Sequence, residues 1–201
     1  MAKFMAKHIL DIPYYSQYLD VSDPSWMSRS CGILCLKMVM DFYGLESGVD
    51  TPSADELINE GLYIEGNVPA YGWAHNHLVL LARNHGLMAY PQEFRSHKID
   101  YINKKEEVSE YEDVIIGKGI EKIISSLENK SPVIVSIFKN FKEMDKFHMV
   151  TLTGIESENN KIKGFYYHDP DSMIRDEGAH KFVPIITFRK YWRKMAIYVS
   201  I

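Results

Sequence analysis

Residues 31–44 read CGILCLKMVMDFYG, a segment with apolar side chains on most sides of a helical projection. An all-round apolar helix is a buried one, and the spacing predicts such a helix over Cys31–Tyr43, with Gly44 at its C′ position. The preceding stretch, Gln17–Ser30, is rich in Ser, Asp and Pro and reads as a loop. Ser28 or Ser30 is placed to cap the helix through a hydroxyl on an orphan backbone N–H. Cys31 thus stands where a polar loop turns into a buried helix.

Working outward, His8–Tyr15 mixes apolar, β-branched and aromatic residues around Pro13 and reads as a short edge strand or extended entry. Ser53–Glu60, begun by Pro52-Ser53 and ended by Gly61, reads as a short surface helix. Tyr71–His85 reads as a second solid helix, with Trp73, Leu78, Leu81 and Ala82 inward and Gly86 closing it. Leu87–Tyr90 is a short strand, and Glu93–Glu112 is so heavily charged that it reads as a solvated excursion or flap. Lys118–Asn129 is amphipathic on Ile120, Ile123, Ile124 and Leu127. Pro132–Phe138, Phe147–Ile155 and Ile162–His168 read as strands, the last two joined by a turn at Glu158–Lys161. A short helix over Thr187–Trp192 and a strand over Met195–Ile201 end the chain. Helices first and an antiparallel sheet afterwards make an α+β protein.

Composition narrows the function classes. Over 201 residues, Lys+Arg 23 against Asp+Glu 27 gives a net charge of −4, which argues against a protein that grips nucleic-acid phosphates. Two cysteines cannot build a disulfide framework, and none of the cysteine-rich zinc spacings occurs. No run approaches the roughly 18 apolar residues of a membrane span, and the N-terminus lacks the apolar core of a secretion signal. The expectation is one soluble, cytoplasmic domain over residues 1–201, without cofactor or metal.

Cys31 is the first chemical candidate. A helix N-terminus presents unpaired N–H groups and partial positive charge, which favour thiolate over thiol and draw a cysteine below its usual pKa of ~8.5. Cysteine is also a common buried residue, and Cys31 could simply pack, as Cys35 one turn further in is expected to do. A disulfide between them is disfavoured by their parallel directions along the helix. A thiolate nucleophile needs an imidazole, and that imidazole needs an acceptor on its other nitrogen. Of eight histidines, His8, His97 and His180 read as surface residues. His75, His77 and His85 share a helix, but His75 and His77 point to different faces and make a poor metal pair. His148 opens an apolar strand, where burial without a partner is costly. Asp169, at the end of the next strand, could supply that partner, while His168 alternates to the opposite side. Gln17 could donate an amide N–H to the oxyanion of acyl transfer.

Gln, then Cys at a helix start, then His on a strand, then Asp after the following strand is the chain order of papain-like cysteine peptidases. The flanking residues Ile12-Pro13-Tyr14-Tyr15-Ser16-Gln17, Trp26, Cys31-Gly32 and Met38-Val39-Met40-Asp41-Phe42-Tyr43-Gly44 resemble the peptidase C-thirty-nine-like family. The likeness continues through Gly72-Trp73, Ala82, Gly86-Leu87, Pro132-Val133-Ile134-Val135, His148-Met149-Val150, Gly154-Ile155, Asp169-Pro170, Phe188 and Trp192. These are relatives of the bacteriocin-processing peptidases that cut after a double glycine. The resemblance implies a papain-like fold with Cys31 as nucleophile, His148 as general acid/base and Asp169 as the orienting carboxylate. Gln17 would share the oxyanion hole with the Cys31 backbone N–H. Ile33 stands where relatives commonly have proline. The bacteriocin-processing members are fused to ABC transporters, and this chain has neither spans nor an ATPase, so double-glycine specificity does not carry over. Phytochelatin synthases share the order, which keeps transpeptidation open.

The leading expectation is therefore a thiol hydrolase acting on a peptide or other amide bond, with a peptide or protein substrate as its partner. A non-catalytic peptide-binding module on the same fold is the reading from a different class. A redox role for Cys31 and Cys35 lacks the Cys-x-x-Cys spacing.

Overall fold

The computed structural model describes residues 5–68, 72–95, 98–100, 105–107, 112–142 and 146–201. Helix α1 spans Cys31–Ser47, and every residue from Gly32 to Gly44 except Asp41 is buried. The helix runs one turn beyond the expected end. Gly48, left-handed at φ 69°, is its true terminator, with its N–H on the Gly44 carbonyl. Gly44 is small for a different reason: a Cβ there would lie 2.8 Å from the Val49 carbonyl oxygen, on the chain that folds back over the helix. The expected serine cap is also absent. Ser30 occupies the N-cap position at φ −98°, ψ 13°, outside the extended geometry that aims a side chain at the first turn, and its buried hydroxyl has no partner.

Three further helices of two turns or more follow. In α2 (Ala54–Tyr63), Ser53 and Glu56 form a capping box, and the helix passes through Gly61, which rests against the Trp73 ring. The helix α3 (His75–Asn84) starts later than expected, buries Leu78, Leu81 and Ala82, and is followed by Gly86 at φ 82°. Trp73 is buried as expected but lies on a two-residue strand rather than a helix; Tyr71 lies outside the described residues. The amphipathic α4 (Asp113–Glu128) starts earlier than expected and buries Ile116, Ile120, Ile123 and Leu127. Short helices α5 (Arg175–Gly178) and α6 (Ile185–Tyr191) lie near the C-terminus.

The strands in chain order are β1 (Met5–Ile9), β2 (Asn67–Val68), β3 (Gly72–Trp73), β4 (Met88–Glu93), β5 (Lys98–Asp100), β6 (Lys105–Glu107), β7 (Val133–Phe138), β8 (Phe147–Glu158), β9 (Lys161–His168), β10 (Lys181–Pro184) and β11 (Trp192–Ser200). Seven form one antiparallel sheet in the order β10-β9-β8-β7-β11-β4, with β1 adding to β8. The α+β expectation is met. β4 and β10 are edge strands, which is where Pro91 and Pro184 can sit without leaving a ladder acceptor unpaired. Asn159 and Asn160 take φ 50° and 61° at the β8–β9 turn, the doubly left-handed backbone of a type I′ hairpin. Gly154 lets β1 approach β8 closely, because a Cβ there would meet the His8 carbonyl oxygen at 2.3 Å.

The charged excursion begins later than expected, because Phe94 is buried against Trp192. Between Arg95 and Glu112 its described backbone is the β5–β6 pair; residues 96–97, 101–104 and 108–111 lie outside the described residues. Helix α1 packs on β8, so the start of the helix meets the start of the strand that carries His148. Among the described residues no helix is long and apolar enough to cross a membrane.

Candidate active site

Cys31 is the first residue of α1, where the opening N–H groups of a helix have no carbonyl four residues back. It is partly exposed, whereas Cys35 is buried, and both thiols are free. Gly32 brings the helix start against its neighbours: a Cβ at that position would lie 2.9 Å from Leu78 Cδ1 and 3.1 Å from Met149 Sδ. Met149 follows His148 in β8, so this close approach sets the helix beside the imidazole.

His148 is 5% exposed, and its Nε2 donates to Asp169 Oδ1 at 2.7 Å. That bond leaves Nδ1 as the ring nitrogen open to the Cys31 thiol, and the imidazole is close enough to act on that thiol. Burial pushes the Cys31 thiol up. The His148 charge and hydrogen bond, helped by the N–H groups of Met149 and Gly32, more than reverse that, so the thiol lies below its ordinary value. Burial likewise opposes the His148 imidazolium. The Cys31 charge and then the Asp169 hydrogen bond prevail, and the imidazole is raised to about 10. The two groups therefore favour a thiolate–imidazolium pair. Cys35 has no such neighbour, and burial pushes its thiol well up.

Asp169 is 3% exposed and has its oxygens satisfied. Oδ1 also accepts the Asp171 N–H at 3.0 Å, and Oδ2 accepts from Lys181 Nζ at 3.1 Å. Burial works against the carboxylate, but the His148 hydrogen bond and charge, then Lys181, hold it well below the usual carboxylate range. The Tyr14 hydroxyl donates to the Asp169 carbonyl at 2.9 Å, fixing the strand end as well as the side chain.

Gln17 is 2% exposed and belongs to the same neighbourhood, its backbone N–H on the Pro170 carbonyl at 2.9 Å. Its Nε2 donates to Asp171 Oδ1 at 2.7 Å, while its Oε1 is buried without a partner. One N–H of the amide is thus held by Asp171 and the other is left to donate. Of the residues that sequence reasoning singled out, the fold joins His148 to Asp169 with Cys31 beside the imidazole, and sets Gln17 on the adjoining Pro170–Asp171 turn. Sequence reasoning missed Tyr14, Asp171 and Lys181, whose only local signal is an acidic turn around Pro170.

Several other histidines have partners away from Cys31. His168 turns away from Asp169, its Nδ1 accepting the His180 N–H at 3.0 Å and its Nε2 donating to the Ile12 carbonyl at 2.9 Å. His75 Nε2 lies 2.6 Å from the Ser136 hydroxyl, and His85 pairs with Glu60, so α3 does not assemble its histidines into a ligand set. His97 lies outside the described residues. Among the described residues no three His, Cys, Asp or Glu side chains stand together as metal ligands. Beside Phe147, which precedes His148, a cavity of about 440 Å³ opens between His75, Phe138, Arg193 and Met195.

This fold recurs in solved structures. A C39-like peptidase from Bacillus anthracis aligns at 18% identity and a TM-score of 0.65, over 98% of each chain. The peptidase domain of Streptococcus ComA, a bifunctional ABC transporter of a quorum-sensing pathway, aligns at 16% identity and 0.54, over 86% of this chain and 92% of that one. A double glycine motif protease from an AMS/PCAT transporter, solved with its leader peptide, aligns at 18% and 0.51, over 95% and 92%. These likenesses establish the papain-like peptidase fold. No curated protein matches the sequence significantly. The model of the Peptidase C39 like family matches residues 9–199, nearly the whole chain. On that match, the chain belongs to the peptidase C39-like family.

Proposed function

We propose that this protein is a cysteine peptidase-like thiol hydrolase that opens a peptide or amide bond through an acyl-enzyme on Cys31. The observation that carries the reading is the buried 2.7 Å hydrogen bond between His148 Nε2 and Asp169 Oδ1, set beside Cys31, a partly exposed residue at the start of α1 whose thiol the imidazole draws down. In this mechanism the thiolate attacks the carbonyl carbon, and the His148 Nδ1 proton passes to the leaving amine. The same nitrogen then takes a proton from the water that hydrolyses the thioester. Asp169 keeps the ring oriented through Nε2 and stabilises its charge. The free Gln17 N–H and the Cys31 backbone N–H receive the negative oxygen of each tetrahedral intermediate.

A peptide is the proposed substrate. A relative of the same fold was solved with a leader peptide bound, and the cavity lined by Phe138 and Phe147, the latter adjacent to His148 in β8, is the proposed seat of one of the substrate's side chains.

The test is the rate of iodoacetamide labelling at Cys31 against pH, with His148→Ala as the control. Fast labelling well below pH 7, lost in the variant, is expected, because a depressed thiol and a raised imidazole keep the ion pair populated there. Hydrolysis should follow the same window, falling on the acid side as the Cys31 thiolate takes up a proton and at alkaline pH as His148 gives up its own. Labelling that rises only near the free-thiol pKa of ~8.5 overturns the hydrolase and leaves a peptide-binding module in its place.

A further inference from the structure

Three loops meet at one carboxylate that the mechanism above does not use. Asp171 Oδ1 accepts from Gln17 Nε2 at 2.7 Å and from the Tyr18 hydroxyl at 2.8 Å. Its Oδ2 pairs with Lys139 Nζ at 2.5 Å, and its side chain is only 12% exposed. Its own N–H is the one that donates to Asp169 Oδ1. Lys139 belongs to the short turn after β7, and its backbone N–H is bonded to the Lys146 carbonyl, two residues before His148. Asp171 therefore ties the Gln17 loop, the loop leading to His148 and the turn carrying Asp169 to a single point.

The chemistry of that point is specific. The two ends of a carboxamide have nearly the same shape and differ in that one donates and the other accepts. A carboxylate accepts only, so Asp171 permits one orientation of Gln17, with nitrogen toward Asp171 and Oε1 in the position where it has no partner. The opposite orientation would set two acceptors face to face. It would also remove the amide donor from the tetrahedral intermediate.

Resting on the reading of Cys31 as nucleophile and Gln17 as oxyanion donor, we propose that Asp171 is a positioning residue that selects the donating orientation of the Gln17 amide. Lys139 and Tyr18 hold the Asp171 carboxylate in place for this purpose. An asparagine at the same position could accept or donate, and would let Gln17 turn over.

Two probes on the intact chain separate this role from general structure. Iodoacetamide reacts by displacement at carbon and forms no oxyanion, so it reads the thiolate–imidazolium pair alone. With p-nitrophenyl acetate, Sγ adds to the carbonyl, a tetrahedral oxyanion forms, and collapse leaves acetyl on sulfur and releases p-nitrophenolate. Losing one oxyanion donor costs roughly 10²–10³ in rate. Asp171→Asn, which is nearly isosteric, should lower acylation about tenfold or more while alkylation at pH 6 stays within about twofold. Adding Asp171→Asn to Gln17→Ala should cost nothing further, since the orientation of an absent amide has no consequence. Acylation unchanged in Asp171→Asn overturns the proposal, and so does alkylation falling in step with acylation, or the two substitutions multiplying. A wild-type chain that alkylates slowly at pH 6 overturns the nucleophile reading itself, and this proposal falls with it.

Discussion

Asp169 is the residue on which the most bonds of the site converge, and its carboxylate is nearly sealed from solvent. Replacing it by Asn removes the charge that compensates the buried imidazolium, and breaking a buried pair in this way costs about 3 kcal/mol or more. Alkylation of Cys31 at pH 6 should slow along with it, since His148 then holds its proton less firmly. The pH dependence of stability has a definite sign. The folded-state pKa of Asp169 is depressed, so its contribution is complete above the unfolded carboxyl value of ~3.9 and is lost as pH falls toward the folded value. Urea midpoints between pH 3 and pH 7 should decline at the acid end in the wild type and more shallowly in Asp169→Asn. Equal acid slopes would show that other carboxylates govern the decline. Cys31 and His148 were legible because each breaks a local pattern: a thiol at a polar-to-buried boundary, and a polar residue opening an apolar strand. Asp171 and Tyr14 break none. Their partners lie 154 and 155 residues away, and nothing local marks such a contact.

At the scale of the element, α1 has a polar interruption in a buried cylinder. Lys37 is 9% exposed, and its Nζ is 2.6 Å from Asp41 Oδ1 and 2.9 Å from Thr51 Oγ1. The Tyr15 hydroxyl donates to Asp41 Oδ2 at 2.5 Å, and Thr51 also bonds Asp41, which ties the loop before the helix and the chain after it to the same pair. Removing one charge strands the other in a poorly solvated place. Asp41→Ala should therefore lower stability by about 3–5 kcal/mol, whereas Lys37→Met with Asp41→Leu should cost much less. A urea series on the two variants checks this; equal losses would mean that the hydrogen bonds to Tyr15 and Thr51 outweigh the desolvated charge. Element types were largely readable from periodicity, and their ends were not. Gly44 and Gly61 look like terminators in the sequence, yet both lie inside helices, because their smallness serves packing against the chain at Val49 and against Trp73. Ser30 has the residue type of a cap without the backbone angles that make one.

For the molecule as a whole, the site exists only where the two ends of the chain meet. Cys31 and Gln17 come from the first sixth, His148 and Asp169 from the last third, and the β1 strand at the N-terminal end pairs with β8. If residues 1–201 form one cooperative unit, losing the sheet and losing the site are the same event. Trp26 and Trp73 pair near the start of α1, while Trp192 lies among Phe94 and Phe188 in the sheet. Trp fluorescence, far-ultraviolet circular dichroism and Cys31 alkylation should then follow one urea transition. Two separated transitions would divide the chain into independent folding units.

What the sequence by itself determined is whatever short-range physics encodes. Hydrophobic periodicity told helix from strand, composition argued against a nucleic-acid binder and against a disulfide scaffold, and the order of Gln17, Cys31, His148 and Asp169 carried a family likeness. Tertiary structure decided which of eight histidines faces a thiol, since that depends on Gly32 admitting β8 to the helix start. It also decided that the Ser30 hydroxyl caps nothing and that Asp171 holds one end of Gln17. Each of these is a matter of a few tenths of an ångström or of one hydrogen bond across most of the chain, and such contacts are set by the packing of distant segments, on which local sequence pattern is silent.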